Sequence, residues 1–218
     1  MNAIKTPDAV LDILHRSVKK QPTIMAGVDE AGRGCLAGPV VAAAVVLPAS
    51  MHIGLELKDS KQLSAPARER LEKQIKASVP AWSLGLAWPN EIDRVNILQA
   101  TLQAMCRAVS TLKIKPKLIL VDGNQPPPLS VPCQCIPGGD KTVAAISAAS
   151  IVAKVFRDRL MGHLDRKYPG YGFERHKGYG TKGHLQQLDT LGPCTIHRRS
   201  FAPVRRVLKE RQQWLPGI

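Results

Sequence analysis

The chain of 218 residues is long enough for one domain with a hydrophobic core, at roughly 100–200 residues per domain, and too short for two equal domains. Its formal net charge of +14 favours a phosphate polyanion or an anionic membrane as partner. The five cysteines are odd in number and scattered, and no apolar run approaches the ~20 residues of a membrane span. We therefore expect a cytoplasmic protein with reduced thiols.

The first 22 residues predict an extension that contributes little to the core. Charged residues such as Lys5, Asp8 and Asp12 interrupt any apolar core that a signal peptide would need. Apolar residues at helical spacing predict a short amphipathic helix over 7–20.

Residues 24–48 place two adjacent carboxylates beside a flexible turn. The apolar residues before Asp29 and Glu30 predict a buried strand whose end presents both acids. Residues 32–34, Gly-Arg-Gly, follow at once, and glycine tolerates backbone conformations that a side chain penalises. The apolar, β-branched run 39–47 predicts a second buried strand.

The rest of the chain alternates predicted helices and strands, which indicates an α/β fold whose later portion is mostly parallel. Apolar residues at steps of three and four predict helices, while short apolar runs predict strands. Ser64 is expected to cap the helix that follows it. The predicted helices after the extension cover residues 65–77, 90–112, 142–164, 183–191 and 203–214, and the further strands cover 82–88, 118–121 and 131–136.

The positive charge is concentrated towards the C-terminus. From Lys154 onwards there are fourteen Lys and Arg against five Asp and Glu, so this segment carries +9 of the net charge. Such a segment suggests a surface that grips an anionic substrate. A solvated basic surface without a partner remains the alternative.

Four acids lie at the ends of predicted elements: Asp29 and Glu30 after one strand, Asp122 after another, and Asp140 before the long helix. Strand ends at one edge of a sheet are close in space, and clustered carboxylates suit Mg²⁺ or Mn²⁺. On a basic protein this combination is typical of a nuclease, in which two ions activate water and stabilise the leaving oxygen. The alternative is that Asp122 and Asp140 are ordinary turn residues.

Two further segments could contact nucleic acid. The backbone of residues 32–34 can approach a sugar or phosphate closely, although most such triplets are ordinary turns. The loop 176–182 places Tyr179 among cations, which suits stacking beside phosphates, or else forms a surface turn with a partly buried tyrosine.

Other catalytic classes are less consistent with the residues. An ATPase would need a phosphate-binding loop, but residues 138–142 have an acid where that loop needs glycine. Cys35 has no histidine near it in sequence, and no Gly-x-Ser-x-Gly motif occurs. His176, His184 and His197 lack metal-ligand spacing with any cysteine, so we expect them to contact solvent or phosphate.

Five segments in fixed order resemble bacterial ribonuclease HII, and the resemblance covers about residues 24–207. They are VDEAGRG at 28–34, DSKQLS at 59–64, VDGN at 121–124, GGDKTVAAISAASIVAKVFRDRLM at 138–161, and HKGYGTKGHLQQLDTLGP with HRRSFAPV within 176–204. The resemblance implies a ribonuclease H-like fold, a central mixed sheet flanked by helices with a small helical C-terminal portion. The implied division is an N-terminal extension at 1–22, a catalytic domain at 23–184 and a helical substrate-binding segment at 185–218.

The resemblance also implies an activity and its residues. A monomeric, metal-dependent endoribonuclease would hydrolyse the RNA strand of RNA/DNA hybrids and cut 5′ of single ribonucleotides in duplex DNA, as in ribonucleotide repair. Metal binding, with Mn²⁺ or Mg²⁺, and catalysis fall on Asp29, Glu30, Asp122 and Asp140. Recognition of the 2′-hydroxyl falls on Gly32, Arg33, Gly34 and Tyr179, and positions near the phosphate backbone fall on Ser60, Lys61, Ser147, Ser150, Lys154 and Arg157. A DNA-directed nuclease of the same fold and a non-catalytic nucleic-acid-binding protein remain the rival interpretations.

Overall fold

The computed structural model describes residues 24–47 and 64–213. Five strands form one sheet: β1 Met25–Ala31, β2 Val40–Leu47, β3 Ala81–Ala87, β4 Leu118–Asp122 and β5 Cys133–Ile136. Their spatial order is β3-β2-β1-β4-β5. The first three strands pair antiparallel, whereas β4 runs parallel to both β1 and β5. The predicted mixed sheet with a parallel later portion is confirmed.

Helices follow the strands and cover the sheet. They are α1 Ala65–Ser78, α2 Pro89–Val95, α3 Ile97–Ser110, α4 Gly139–Thr142, α5 Ala144–Lys167, α6 Phe173–His176, α7 Lys182–Leu191 and α8 Ala202–Gln213. Ser64 caps α1 as predicted, because its Oγ accepts a hydrogen bond from the backbone N–H of Ala67 at 3.4 Å. None of the helices among the described residues is long and apolar enough to cross a membrane.

The structure contains breaks at Asn96 and Val143 that the helix predictions did not include. The helix predicted over 90–112 is interrupted at Asn96, whose φ of 69° ends α2 and whose side chain accepts from the N–H of Gln99 to cap α3. The helix predicted from residue 142 is preceded by the separate turn α4, since Val143 has an extended conformation. The predicted helix over 7–20, the predicted loop at 59–63 and the end of the last helix at 214 lie outside the described residues.

The core lies on both faces of the sheet. Alternate residues of β2 pack against α3 on one face and against α1 and α5 on the other, so every residue of β2 is buried. The close contact between β1 and α5 depends on Gly27, because a Cβ there would lie 2.1 Å from the backbone carbon of Ala145. The start of α5 therefore lies directly against the strand that carries Asp29 and Glu30.

The C-terminal helices pack around the loop between β1 and β2. Leu36 lies in a cluster with Leu188, Val204 and Val207 from α7 and α8. The N–H of Leu36 donates to the carbonyl of Gly178 at 2.8 Å, and its carbonyl accepts from the N–H of Arg198 at 2.8 Å. The loop that follows the Gly-Arg-Gly segment is thus buried between the sheet and the C-terminal part of the chain.

Candidate active site

The predicted acids meet in a cleft at the edge of the sheet where β1 and the parallel β4 end. Asp29 and Glu30 lie near the end of β1, and Asp122 is the last residue of β4. The cleft has a volume of about 440 Å³. Besides these acids and residues 32–34, its polar lining comprises Arg68, Ser150, Lys154 and Tyr179.

Asp29 is the most buried acid of the cleft, with 5% of its surface exposed. Burial raises the pKa of Asp29 well above its ordinary value, and the neighbouring charges of Glu30 and Asp122 raise it further. A hydrogen bond with Ser150 opposes this shift. The Asp29 Oδ1 also accepts the backbone N–H of Glu30 at 2.7 Å, which fixes the carboxylate. The three acids are therefore close enough to repel one another.

Glu30 lies between this acidic cluster and the following loop. Burial raises its pKa, while the guanidinium of Arg33, with its Nη1 3.3 Å from Glu30 Oε1, lowers it. The Arg33 side chain is half exposed, so the ion pair stabilises the fold only weakly. The ion pair links Glu30, an acid of the cleft, to the Gly-Arg-Gly segment.

Asp140, the fourth predicted acid, lies in the short helix α4. It is buried with 4% exposure and does not line the cleft, although the preceding N–H of Gly139 donates to Asp122 Oδ1 at 2.8 Å. Its carbonyl accepts from the Ser147 hydroxyl. Within residues 24–47 and 64–213, no three Asp, Glu, His or Cys side chains are arranged to hold an ion by themselves. The structure therefore brings three of the predicted acids into one cleft, and Asp140 directly follows the residue whose N–H holds Asp122.

The Gly-Arg-Gly segment forms the wall of the cleft beside the acids. Gly32 has a φ of 93°, and a Cβ on it would lie 1.9 Å from Nε of Arg157. A side chain at this position is therefore excluded both by conformation and by space. Gly34 has no atom within 4 Å of its missing Cβ, so its surface faces open space.

Tyr179 lines the same cleft as this segment. It is one of the few large apolar side chains that remain exposed, at 43%. Lys154 Nζ lies 5.8 Å from its ring centroid and 2.7 Å from Asp158 Oδ1. Partial burial of the side chain raises the pKa of Tyr179, and the Tyr179 hydroxyl lies beside the Cys35 thiol. The phenol is therefore neutral near pH 7 and presents a ring face to the cleft.

The residues expected near the phosphate backbone divide into two groups. Ser150 and Lys154 line the cleft, which is consistent with the predicted position near the phosphate backbone of a substrate. Ser147 and Arg157 do not, which corrects the prediction that they contact substrate: each is only 1% exposed. The reason is that α5 runs across the buried face of the sheet, and Arg157 donates to the carbonyls of Ala37, Pro39 and Lys177 at 2.8–3.1 Å. Ser60 and Lys61 lie outside the described residues.

Two of the three histidines are buried, contrary to our prediction, and His176 is partly buried. His184 and His197 are 0% and 2% exposed, with Nε2 atoms 3.1 Å apart, and His176 stacks on His184 at a centroid distance of 4.3 Å. Burial lowers the pKa of both His184 and His197 to about 4, so both are neutral at pH 7. The glycine and lysine residues near these histidines in sequence are typical of solvated loops, so the burial was not predicted.

The tautomers of the two buried rings follow from a backbone donor. The N–H of Cys194 donates to His197 Nδ1 at 3.0 Å, so a neutral His197 carries its proton on Nε2. That proton faces the Nε2 of His184, which must then carry its own proton on Nδ1. His184 Nδ1 donates to the carbonyl of Tyr179 at 2.9 Å. The histidine pair therefore holds the backbone of the cleft tyrosine.

Arg198 is a second residue that the sequence reasoning missed. It is 0% exposed, and its guanidinium donates to the carbonyls of Gly32, Arg33 and Gly38 at 2.7–3.1 Å. The sequence shows only a basic His-Arg-Arg-Ser run, in which nothing separates the buried Arg198 from the exposed Arg199.

Comparisons with known proteins identify the family of the chain. The sequence profile of the family described as Ribonuclease HII matches residues 26–204. A ribonuclease HII of Nitrosococcus oceani is 58% identical over 185 residues, which span 85% of this chain and 92% of the relative. A ribonuclease HII of Nitratidesulfovibrio vulgaris is 52% identical over 195 residues, which span 84% and 88%.

Solved structures agree on the fold. The crystal structure of ribonuclease H2 from Pyrococcus horikoshii superposes with a TM-score of 0.74 at 29% identity, covering 88% of this chain and all of that one. A Bst ribonuclease HIII structure in complex with Mn²⁺ has a TM-score of 0.67 at 21% identity, covering 98% and 76%, and supports the fold alone. The ribonuclease H-like fold is confirmed, and the chain belongs to the ribonuclease HII family, a family of ribonuclease H endonucleases.

Proposed function

We propose that this protein hydrolyses the RNA strand of RNA/DNA hybrids and cuts on the 5′ side of single ribonucleotides in duplex DNA. The observation that carries the proposal is the composition of one cleft. Three carboxylates suited to metal-assisted phosphodiester hydrolysis line it together with a glycine-rich backbone and an exposed tyrosine. These are the groups needed to cut a phosphodiester and to recognise the neighbouring sugar.

The acid cleft, defined here as Asp29, Glu30 and Asp122, fits divalent cations such as Mn²⁺ or Mg²⁺. Its donors are hard carboxylate oxygens. Burial and then the mutual repulsion of the acids raise the pKa of Asp29, and a cation would relieve that repulsion. When bound in pairs, such ions supply an activated water and stabilise the leaving oxygen. Mn²⁺ is the ion in the solved Bst ribonuclease HIII complex.

Each acid has a distinct environment for this task. Asp29 and Asp122 are held by the backbone donors of Glu30 and Gly139, so their carboxylates are fixed before an ion or substrate arrives. We propose that they hold the ions most directly and that Glu30 contributes a further oxygen. Asp140 does not line the cleft, so we propose that its effect is the smallest of the four.

The sugar-reading surface, defined here as residues 32–34 and Tyr179, accounts for the choice of substrate. The 2′-hydroxyl distinguishes a ribonucleotide from a deoxyribonucleotide at a given site. Backbone groups of residues 32–34 can approach that hydroxyl because Gly34 carries no side chain towards open space. The face of Tyr179 can pack against the sugar or base. Both lie within one cleft with the acids.

A basic path leads away from the cleft and suits the backbone of a duplex. A second groove of about 270 Å³ shares Arg68 with the cleft and is also lined by Arg159, Arg166 and Lys177. The acids Glu69, Asp158 and Glu174 line it too, so the positive charge there is partly balanced. Phosphate contacts of this kind position a duplex without reading its sequence. We propose that the C-terminal segment 185–218 also contacts the duplex, and that the protein acts as a monomer.

The proposal is tested with two end-labelled duplexes that differ by a single 2′-hydroxyl. One contains a single ribonucleotide and the other is all DNA, and each is incubated with Mn²⁺, with Mg²⁺ or with EDTA. We expect metal-dependent cutting on the 5′ side of the ribonucleotide, leaving a 3′-hydroxyl and a 5′-phosphate, and no cutting of the all-DNA duplex.

The rival functions predict different results in the same experiment. Equal cutting of both duplexes would indicate a DNA-directed nuclease and overturn the proposal. Binding of both duplexes without any product in Mn²⁺ or Mg²⁺ would indicate a non-catalytic nucleic-acid-binding protein.

A further inference from the structure

Arg198 lies in the interior, but its contacts reach the wall of the cleft. Its Nη1 donates to the carbonyl of Arg33 at 2.7 Å, and its Nη2 donates to the carbonyl of Gly32 at 2.7 Å. Nη2 and Nε also donate to the carbonyl of Gly38, at 3.0 and 3.1 Å. One guanidinium therefore closes the turn between the Gly-Arg-Gly segment and the start of β2.

Burying the charged guanidinium of Arg198 costs free energy, which indicates that this residue does more than fill space in the core. Burying a charged group is expensive unless hydrogen bonds replace the lost water. The nearby Arg157 adds repulsion, and burial lowers the pKa of Arg198 to about 10. The acid that couples to it, Asp93, accepts the N–H groups of Arg199 and Ser200. Carbonyl oxygens thus provide the hydrogen bonds that hold the Arg198 charge.

Because peptide groups are planar, the contacts of Arg198 also fix the direction of the neighbouring backbone N–H groups. In a trans peptide the carbonyl and the following N–H point in opposite directions. The carbonyls of Gly32 and Arg33 point at the buried Arg198, and no described peptide bond is cis. The N–H groups of Arg33 and Gly34 therefore point away from the interior, on the side where these two residues line the cleft.

We propose that Arg198 is a positioning residue for the sugar-reading surface, holding the N–H groups of Arg33 and Gly34 towards a bound ribonucleotide. The inference rests on the proposed function, because it assumes that residues 32–34 read the 2′-hydroxyl. Arg198 does not touch the substrate itself. Lysine cannot replace it, because a single ammonium lacks the planar set of donors that reaches three carbonyls at once.

Phe201 gives the arrangement a second support. The guanidinium carbon of Arg198 lies 5.1 Å from the centroid of the Phe201 ring, which is partly buried between two hydrophobic clusters. An aromatic face in this position restricts the plane of the guanidinium. Phe201→Leu retains the apolar packing and removes the face, so it perturbs Arg198 without removing its charge.

The test compares binding of the single-ribonucleotide duplex and the all-DNA duplex in EDTA, where no hydrolysis occurs. The measured quantity is the Kd for the all-DNA duplex divided by the Kd for the single-ribonucleotide duplex. This ratio is determined for the wild type, Arg198→Lys and Arg199→Lys. Arg199 is exposed and adjacent, so its lysine variant is a matched control that keeps the same charge. We expect Arg198→Lys to lower the ratio about tenfold, the effect of one hydrogen bond to a charged group, with all-DNA binding unchanged. Arg199→Lys should leave the ratio unchanged.

Phe201→Leu should lower the same ratio by a smaller factor, and it tests the inference even if Arg198→Lys does not fold. Circular dichroism of each variant confirms that the folded protein is being compared. A wild type that binds both duplexes equally in EDTA but cuts only the single-ribonucleotide duplex would overturn the role of Arg198 in binding. A wild type that also cuts both duplexes equally would contradict the proposed function. A wild type that discriminates, together with folded Arg198→Lys or Phe201→Leu proteins that discriminate equally well, would overturn the role of Arg198 alone. Parallel losses on both duplexes would likewise overturn it, because they indicate a purely structural role.

Discussion

The acid cleft and the sugar-reading surface face the same space, but they are built in different ways. Asp29 and Glu30 are neighbours on β1, and Asp122 follows the adjacent parallel strand, so sheet pairing alone brings these acids together. Residues 32–34 and Tyr179 lie on loops that buried groups hold from behind. Arg198 reaches the carbonyl of Arg33 across 165 positions of sequence, and His184 holds the carbonyl of Tyr179.

We propose that this difference separates the hydrolytic chemistry from the choice of substrate. The acids depend on the register of two strands in the middle of the sheet, which a change in the C-terminal helices does not alter. The sugar-reading surface depends on C-terminal residues packed around the loop after β1. Substitutions in the two regions should therefore produce separable defects.

The largest effect is expected at the acid cleft. Asp122→Asn keeps the size of the side chain and removes the charge that would hold a metal ion, so we expect cleavage of the single-ribonucleotide duplex to fall by roughly a thousandfold or more. Single-turnover rates in Mn²⁺ measure this loss. Asp140→Asn is the comparison variant and should lose less. An Asp122→Asn enzyme of wild-type activity would refute the assignment of the cleft.

Tyr179→Ala should act on selectivity. Loss of the aromatic face removes packing against the sugar or base, and we expect the preference for the single-ribonucleotide duplex over the all-DNA duplex to fall by roughly tenfold or more. Binding of Mn²⁺, followed by calorimetry, should be unchanged because Tyr179 contacts none of the three acids. An unaltered preference would exclude Tyr179 from the sugar-reading surface.

His184→Leu should produce a milder form of the same defect. The substitution removes one of two donors to the carbonyl of Tyr179, which keeps the N–H of Thr181 at 2.8 Å, and it leaves the buried Nε2–H of His197 without its acceptor. The unsatisfied group costs about 1–3 kcal/mol of folding stability, and the lost donor loosens the loop. We expect a several-fold loss of preference for the ribonucleotide duplex and a lower midpoint in urea. His184→Gln, which can still donate, should recover part of both losses. Equal behaviour of the two variants would show that the hydrogen bond is not responsible.

The histidine pair also gives the stability a pH dependence. His184 and His197 have pKa values lowered from 6.5 to about 4 by burial, so the unfolded chain binds protons more readily than the folded protein between these values. Their contribution to stability is complete above about pH 6.5 and falls as the pH decreases towards 4. Urea unfolding at pH 7.5 and pH 5 should show a larger loss for the wild type than for His184→Gln. A larger or equal loss for His184→Gln would contradict this assignment.

The smallest effect is expected away from both regions. Ser64→Ala removes the N-cap of α1 at an exposed and long hydrogen bond, so we expect a loss of about 0.5–1 kcal/mol in the free energy of unfolding. Cleavage rates and ribonucleotide preference should not change. A change in either would mean that α1 affects the cleft more directly than its capping contact indicates.

The sequence was sufficient to predict the acid region because its signals are local. An apolar run followed by Asp-Glu, and a second run followed by Asp122, mark strand ends whatever surrounds them. The two glycines at 32 and 34 likewise mark a turn. Most helix positions followed from periodicity and the parallel later portion from the alternation of elements, whereas the central mixed sheet was implied by the resemblance to ribonuclease HII. The break at Asn96 was missed because the apolar spacing continues across it.

The supporting region could not be predicted in the same way. The burial of Arg198, Arg157 and the histidines depends on contacts with segments far away in sequence, so no local pattern separates them from exposed residues of the same type. The spacing of His184 and His197 has no helical or strand period. Such residues become visible only when the packing of the C-terminal helices against the loop 35–39 is known.

The separation of chemistry from substrate choice is tested most directly by measuring both properties on two variants side by side. Cleavage in Mn²⁺ and the ratio of Kd values for the single-ribonucleotide and all-DNA duplexes in EDTA are measured for Asp122→Asn and Tyr179→Ala. We predict that Asp122→Asn loses cleavage and keeps the wild-type ratio, and that Tyr179→Ala loses most of the ratio. If Asp122→Asn loses the ratio as well, or Tyr179→Ala retains it in full, the two regions do not divide the work as proposed.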